Sequence, residues 1–365
     1  MKHFIALLMI GLTCACNGQD SSKTSSTAMD KDLPAVAFSQ VHVPSKSALW
    51  FDNILDQKWK KPTDPRQVSK YIRTIFQDKT GSFWLGTNSD GVVKMRGNEF
   101  EYFSLERGLS GSTVRAIWED SNQAMWFATN NGITKYIKHS YTRFSANLGP
   151  AYDEIWSMKV DRKGIFWLGT AGGVLKFDGT KFTKFELPLA KSTVQPLVSR
   201  NLVWSIMEDQ DGAIWFGTDG SGAYKYDGNT IQHIGKEEGL ASDRVTNIVQ
   251  DRKGAIWFAS EDAGVTNYSH GKYTRIGVEQ GLCHSSIWSI YEDRTGNLWF
   301  TSLGGGVSKY NGTSFTNYKE TKGVTKNHVQ SILEDANGNI WLGFSGGLFR
   351  LDNGVIVNIR RMEGC

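Results

Sequence analysis

The sequence predicts an all-β fold, a seven-bladed β-propeller of four-stranded antiparallel blades. Three observations indicate it: a tryptophan that recurs seven times, an aspartate at a fixed distance before each tryptophan, and glycine-rich turns between short apolar segments. The tryptophans, spaced 42, 41, 48, 42, 42 and 42 residues apart, are Trp84, Trp126, Trp167, Trp215, Trp257, Trp299 and Trp341. Such a period indicates stacked supersecondary units, because one unit cannot bury its own apolar faces.

The aspartate lies six residues before each tryptophan and starts a tight turn. The seven aspartates are Asp78, Asp120, Asp161, Asp209, Asp251, Asp293 and Asp335. A glycine follows three residues later in six repeats, and Gln123 takes that place in the second repeat. An aspartate side chain can accept a hydrogen bond from the backbone two residues on, and glycine tolerates positive φ.

Four short strands fit into each repeat. In the sixth repeat they are predicted at 287–291, 297–300, 307–310 and 314–318, with the hairpin signal Asn311-Gly312 between the last two. Four antiparallel strands in about 42 residues make one propeller blade. Seven blades close a ring that leaves no long unpaired sheet edge.

The repeat motif D-x-x-G-x-[IL]-W-[FL]-G-T-x-x-G-G-V-x-K-[YF]-[DN]-G resembles the two-component regulator propeller family over about residues 71–364. Members of that family usually form the extracytoplasmic sensor half of hybrid histidine kinases in Bacteroidetes-type bacteria. The resemblance therefore implies a sensor-like or accessory role. We expect a stand-alone propeller lipoprotein without the kinase, so that any signal passes through a partner protein.

Residues 1–15 are predicted to be a lipoprotein signal peptide. Lys2 gives a positive start, and the apolar run 4–12 is too short to span a bilayer. The sequence Thr13-Cys14-Ala15-Cys16 resembles a lipoprotein signal box with Cys16 as the acylated residue. Cys14 is the weaker candidate because bulky residues precede it, and an ordinary secretory signal is the alternative.

Two further segments lie between the predicted signal peptide and the propeller. Residues 16–37, rich in serine and threonine, are predicted to form a disordered tether. Residues 38–70 contain Trp50 and Trp59 and are expected to pack on the propeller at 71–364. We expect a lipid-anchored protein of the cell envelope, by default on the periplasmic side of the outer membrane, with the lipid as its sole membrane contact.

Composition excludes several functional classes. The formal net charge is +4 and the basic residues are scattered, which argues against nucleic-acid binding. No nucleophile elbow, P-loop, dinucleotide fingerprint or zinc signature is present. We therefore expect no cofactor, no metal and no catalytic residue. We also expect the chain to be a monomer.

The candidate ligand site follows from the residue five positions before each repeat aspartate. These residues are Arg73, Arg115, Trp156, Trp204, Thr246, Trp288 and Gln330. They lie near the start of each innermost strand, so we expect them at the mouth of the central channel. Tryptophans and arginines there could stack on and hydrogen-bond a sugar or an aromatic ligand. The alternative is that they only pack between blades.

Two further features lie in loops on the same face. His284 and His328 occupy equivalent loops of neighbouring blades and are assigned to the channel mouth, with Asp153 and Glu154 elsewhere on the rim. They could bind a metal or act as acid and base, or be merely solvated. The longest loop, 187–200, carries an insertion of about six residues and is either a functional lip or a tolerated insertion.

These observations favour a non-catalytic envelope propeller that recognises a glycan or a protein partner. An alternative is an enzyme, such as a lyase on a propeller of the streptogramin-lyase type, which would need clustered histidine, glutamate and arginine. A purely structural scaffold is the third hypothesis, since propellers carry all three roles.

Overall fold

The computed structural model of the protein describes residues 66–192, 194–318 and 328–361. Within these ranges, 28 strands form seven separate four-stranded antiparallel sheets. Each sheet takes four consecutive strands in chain order, so every connection within a blade is a hairpin. The predicted all-β, seven-bladed propeller is confirmed.

The bounds of the elements follow the sequence repeat. Blade one has β1 (Ile72–Gln77), β2 (Phe83–Thr87), β3 (Val92–Arg96) and β4 (Glu99–Phe103). Blade two has β5 (Val114–Glu119), β6 (Met125–Thr129), β7 (Gly132–Ile137) and β8 (Ser140–Phe144). Blade three has β9 (Ile155–Val160), β10 (Phe166–Thr170), β11 (Gly173–Phe177) and β12 (Phe182–Phe185), preceded by the short helix α1 (Pro150–Asp153). Blade four has β13 (Val203–Glu208), β14 (Ile214–Thr218), β15 (Ala223–Tyr226) and β16 (Ile231–Ile234).

The last three blades repeat the pattern. Blade five has β17 (Val245–Gln250), β18 (Ile256–Ser260), β19 (Val265–Ser269) and β20 (Lys272–Ile276), and a 3-10 turn (Val278–Gln280) follows it. Blade six has β21 (Ile287–Glu292), β22 (Leu298–Ser302), β23 (Val307–Tyr310) and β24 (Phe315–Tyr318). Blade seven has β25 (Val329–Glu334), β26 (Ile340–Phe344), β27 (Gly347–Asp352) and β28 (Val355–Ile359). The strands predicted for the sixth repeat lie within two residues of those found.

The repeat aspartate holds both the turn and the tryptophan. In blade four, Asp209 Oδ1 accepts hydrogen bonds from the backbone N–H groups of Asp211 and Ala213 at 3.0 and 2.8 Å. Its Oδ2 accepts the indole N–H of Trp215 at 2.7 Å. The same indole–carboxylate bond is present in all seven blades, at 2.7–3.1 Å. The sequence predicted the turn, but the indole bond is a finding of the structure.

Each blade packs tightly against the next, and this packing closes the ring. The second strand of every blade is buried along its whole length. A Cβ atom at Gly217 would lie only 2.8 Å from the carbonyl oxygen of Val245 in the next blade. Blade seven meets blade one in the same way: a Cβ atom at Gly343 would lie 2.9 Å from the carbonyl oxygen of Ile72. The rings of Trp341 and Phe83 also pack across this junction, with centroids 4.7 Å apart.

Blade seven takes all four strands of its sheet from its own repeat. Of the predicted lead segment, only residues 66–70 are described, and there Gln67 forms a single β-bridge with Arg360. The predicted signal peptide, the acylated Cys16 and the tether lie outside the described residues. Among the described residues, no helix is long and apolar enough to cross a membrane.

Candidate functional site at the central channel

The seven candidate positions share a backbone feature that sequence reasoning missed. In blade one, Ile72 pairs with Thr87 and Thr74 pairs with Gly86, so Arg73 is the extra residue of a β-bulge. The other six innermost strands carry the same bulge, and their extra residues are Arg115, Trp156, Trp204, Thr246, Trp288 and Gln330. A bulge leaves one residue outside the ladder and redirects its side chain, and bulges are common next to functional sites.

All seven bulge residues line one cavity of about 300 Å³ on the propeller axis. A second ring of mostly small polar side chains lines the cavity with them: Thr74, Ala116, Ser157, Ser205, Asn247, Ser289 and Ser331. Among the lining residues are therefore all five tryptophans and arginines that the sequence placed at the channel mouth. Ligand binding by them stays a prediction.

Three tryptophans form a continuous aromatic wall. The ring centroids of Trp156 and Trp204 are 5.0 Å apart, and those of Trp204 and Trp288 are 5.1 Å apart, both pairs edge to face. Such pairs are favourable beyond the burial of their area. Trp204 and Trp288 belong to blades four and six, and the small Thr246 occupies the position between them.

The three tryptophans of this wall differ in how far they are exposed to solvent. Trp204 is only 8% exposed, and its indole hydrogen-bonds the buried carboxylate of Asp219. Trp156 and Trp288 are partly exposed. No group among the described residues accepts a hydrogen bond from the buried Trp156 Nε1.

The two arginines come from blades one and two and lie beside the aromatic wall. The guanidinium of Arg115 lies 3.8 Å from the ring centroid of Trp156, and its Nη2 pairs with Glu154 Oε1 at 2.7 Å. Cation–π stacking and an ion pair therefore fix Arg115 in one orientation.

Arg73 is fixed by different partners. Its Nε donates to Asn88 Oδ1 at 2.8 Å, and its Nη1 reaches Gln330 Oε1 at 3.5 Å. It also stacks over Tyr71, whose pKa burial raises to about 12 although the nearby Arg73 lowers it. Tyr71 therefore remains a neutral phenol at physiological pH. The mouth thus has an aromatic side, made by the three tryptophans, and a cationic side, made by Arg73 and Arg115.

The two histidines lie outside the cavity lining. His284 is in the loop before β21, where its Nδ1 accepts the N–H of Ser286 at 2.9 Å. His328 precedes β25 and forms a β-bridge with Leu303. In α1, which precedes β9, Asp153 accepts a hydrogen bond from the hydroxyl of Ser145 at 2.8 Å. Across the part of the chain that the structure describes, no three histidine, cysteine or acidic side chains are grouped so as to hold a metal.

Sequence reasoning also missed Asp219, which anchors the long loop. Asp219 is 0% exposed, and its carboxylate accepts the backbone N–H groups of Leu197, Val198 and Ser199 at 2.9, 2.6 and 3.2 Å. Burial raises the pKa of Asp219, although these amides lower it. The signal available in the sequence was that the residue after the repeat threonine varies between blades, as Asn88, Asn130, Ala171 and Asp219 show.

A closed ring of seven four-stranded antiparallel blades around an axial cavity defines the class of this protein, a seven-bladed β-propeller. Five segments of this chain match the sequence profile of the two component regulator propeller: 67–89, 198–220, 239–262, 281–304 and 323–346. The chain belongs to this family of repeats. It has no significant match among curated proteins.

Several solved structures share the fold. One is the extracellular domain of a protein named as a hybrid two component system from B. thetaiotaomicron, with 22% identity, a TM-score of 0.66 and coverage of 80% of this chain and 40% of that one. Virginiamycin B lyase from Staphylococcus aureus has 14% identity, a TM-score of 0.61 and coverage of 78% and 95%. PorZ, a surface component of the type-IX secretion system of Porphyromonas gingivalis, has 18% identity, a TM-score of 0.51 and coverage of 66% and 38%. The chain thus spans less than half of the two-component-system domain, and likeness at these identities shows the fold alone.

Proposed function

We propose that this propeller is a non-catalytic recognition module of the cell envelope that binds a glycan at the mouth of its central channel. The proposed role is sensor-like or accessory, with a protein partner carrying the signal. Family membership supports this role, as does the fold shared with a domain named as extracellular. Anchoring through Cys16 is part of the proposal, and palmitate labelling of a Cys16→Ala variant would test it.

The observation that carries the proposal is the variation among the seven bulge residues. A requirement of the fold is met alike in every blade, as the aspartate–tryptophan bond is. The bulge recurs in every blade too, yet its residue is a tryptophan, an arginine, a threonine or a glutamine. Variable side chains on an invariant backbone are expected of a binding surface rather than of a packing surface.

The chemistry of the mouth fits a sugar. Tryptophan faces stack on the C–H face of a sugar ring, while arginine and indole N–H groups donate to its oxygens. The cavity of about 300 Å³ is at the lower end of the range for ligand sites, which suits the end of a glycan chain. A protein loop inserted into the channel is the alternative ligand.

The cavity lining also argues against lyase chemistry at this position. Within the described residues, no histidine and no carboxylate lines the cavity. General acid–base catalysis needs a titratable group within hydrogen-bond reach of the reacting atoms. Binding therefore accounts for the residues present better than catalysis does.

The test is a glycan screen on the wild type, followed by calorimetry on a Trp288→Thr variant. We expect this variant to fold normally, because Thr246 occupies the same position in the neighbouring blade. Its Kd for each hit should rise about 2- to 12-fold, since one aromatic contact contributes about 0.5–1.5 kcal/mol.

An Arg115→Ala variant tests the cationic side, and Arg143→Ala serves as its control. Arg143 is exposed on β8 and contacts the carbonyl of Gly108, far in the fold from the bulge positions. Weaker binding by Arg115→Ala, with binding by Arg143→Ala unchanged, would support the proposal. If Trp288→Thr and Arg115→Ala both fold and bind every hit as tightly as the wild type, the site lies elsewhere.

A further inference from the structure

A second cavity of about 330 Å³ lies beside the long loop, between blades three and four. Helix α1, the outer strand β12 and the loop 187–201 contribute its walls. We propose that this cavity binds a small organic carboxylate with a compact, partly apolar body. The site is separate from the central channel, since none of its lining residues lines the axial cavity.

The insertion in the loop creates this cavity. The spacing from Trp167 to Trp215 is 48 residues, compared with 41 or 42 elsewhere, and the added chain supplies Leu187, Pro188 and Leu189 to the lining. Tyr224 holds this wall in place, because its hydroxyl donates a hydrogen bond to Pro188 O at 2.8 Å. Its counterparts in five other blades are the smaller side chains Val93, Thr134, Leu175, Thr266 and Ser308.

The far side of the loop is fixed as well. Asp219 binds three of its backbone N–H groups, and Ser192 Oγ donates to Asp243 Oδ2 at 2.8 Å. Arg244 Nη2 donates to Gln195 O at 2.7 Å. The wall is therefore formed before any ligand binds, which lowers the ordering cost of binding.

The charges of the cavity favour an anion. Lys184 and Arg200 both line it, and neither has a carboxylate within 4.0 Å among the described residues. By contrast Arg244, on the same face, pairs with Glu261 at 3.1 Å. The Lys184 ammonium lies 4.2 Å from the ring centroid of Tyr152, and Arg200 Nη1 reaches Gly220 O at 3.4 Å. One acidic residue, Glu186, is in the lining, so the cations outnumber it.

Apolar surface at the rim points to a ligand that is more than a bare anion. Leu189 is 95% exposed and is part of the cavity lining. Leu187, Pro188 and Phe185 extend the apolar surface inward. Covering such surface is favourable in proportion to the area buried. A carboxylate on a small ring or short apolar chain would satisfy both the cations and this surface.

The experiment compares matched probes by calorimetry on the full chain. Benzoate and glucuronate are the charged probes, and benzyl alcohol and methyl glucoside are their neutral counterparts. At least one charged probe should bind about ten-fold or more tightly than its neutral counterpart, because hydrogen bonds to a charged group contribute more than neutral ones. Lys184→Gln and Arg200→Gln, singly and together, should remove this preference.

Two controls separate the cavity from other sites. Lys181→Gln alters an exposed lysine in the turn before β12, outside the lining, and should leave binding unchanged. Trp288→Thr is the second control, because it alters the axial channel and no lining residue of this cavity. A preference for the charged probe that is lost in Trp288→Thr but kept in the Lys184→Gln and Arg200→Gln double variant would place the probe in the channel, so that failure here and failure of the glycan proposal remain distinguishable. A shift of the Leu189 methyl signals in NMR on adding the charged probe gives a readout that requires no variant. Equal binding of charged and neutral probes, binding that survives the double substitution, or unmoved Leu189 signals would each overturn the proposal.

Discussion

The bond between each repeat aspartate and its tryptophan explains why both residues recur. In blade six, Asp293 accepts hydrogen bonds from Trp299 Nε1 at 2.8 Å, from the Thr295 hydroxyl at 2.7 Å and from Asn297. Lys309 lies over the same indole, 5.2 Å from its centroid. One aspartate thus joins the turn, the second strand and the packing between blades.

We predict that Trp215→Phe costs about 1–3 kcal/mol of unfolding free energy, because it leaves the buried Asp209 carboxylate without its indole donor. Trp215→Ala also removes the buried ring and should cost about 3–5 kcal/mol. Urea unfolding measures both. Tyr226→Phe is the control, since it removes only an exposed hydroxyl contact to Gly228 O. An unfolding midpoint of Trp215→Phe equal to that of the wild type would contradict the assignment.

At the scale of elements, the bulged first strand and the long loop distinguish binding features from the scaffold. The bulge turns seven side chains towards one axial cavity. The loop is tied to the body of blade four through Asp219, which also bonds the indole of Trp204 in the aromatic wall. The long loop and the channel mouth are therefore connected through one carboxylate.

We predict that Asp219→Asn loosens the loop. An amide has one acceptor oxygen and carries donors that would face the N–H groups of Leu197, Val198 and Ser199. Hydrogen exchange at those three amides should accelerate, and stability should fall by about 1–3 kcal/mol. Asp211→Asn is the matched control, because Asp211 is exposed in a turn of the same blade. Unchanged exchange in Asp219→Asn would show that other contacts hold the loop.

At the scale of the whole molecule, the ring closes through the same contacts that join neighbouring blades. The N–H of Ala336 in blade seven donates to Gln77 Oε1 in blade one at 3.0 Å. The equivalent bonds elsewhere include Arg252 N to Glu292 Oε2 at 3.0 Å and Arg294 N to Glu334 Oε2 at 2.7 Å. Because each blade depends on both neighbours, we expect the seven to unfold together.

We predict that the propeller loses stability in acid as four of its repeat aspartates, Asp78, Asp120, Asp293 and Asp335, become protonated. Burial raises the pKa of Asp293, but hydrogen bonds from Trp299, Asn297 and Thr295 outweigh it and lower the pKa to about 2. The pKa values of Asp78, Asp120 and Asp335 are also lowered, because hydrogen bonds outweigh burial there too. The unfolded value is about 3.9, so these carboxylates stabilise the fold above pH of about 4 and lose that contribution as pH falls towards 2.

The urea midpoint measured across this range should therefore fall steadily below pH of about 4. Asp293→Asn should have a lower midpoint at neutral pH and a shallower fall in acid. A urea midpoint that stays constant as the pH falls to about 2, the folded-state pKa of Asp293, would contradict the stabilising role given to the repeat aspartates.

The sequence by itself determined the architecture, because the features that specify a blade are local. The aspartate, the turn and the tryptophan lie within seven residues, and the strands follow at a nearly constant spacing. Position in the repeat also placed Arg73, Arg115, Trp156, Trp204 and Trp288 at the channel, since equivalent residues of stacked units must share one ring.

Only the tertiary structure decided what surrounds those residues. Trp204 and Trp288 are in contact although they are 84 residues apart in the sequence, because the bulge residue of the blade between them is the small Thr246. The bulges, the capture of the long loop by Asp219 and the second cavity likewise depend on side chains from different blades. No local pattern specifies such contacts, because they arise from the distance between blades and the shape of the loops once the ring has closed.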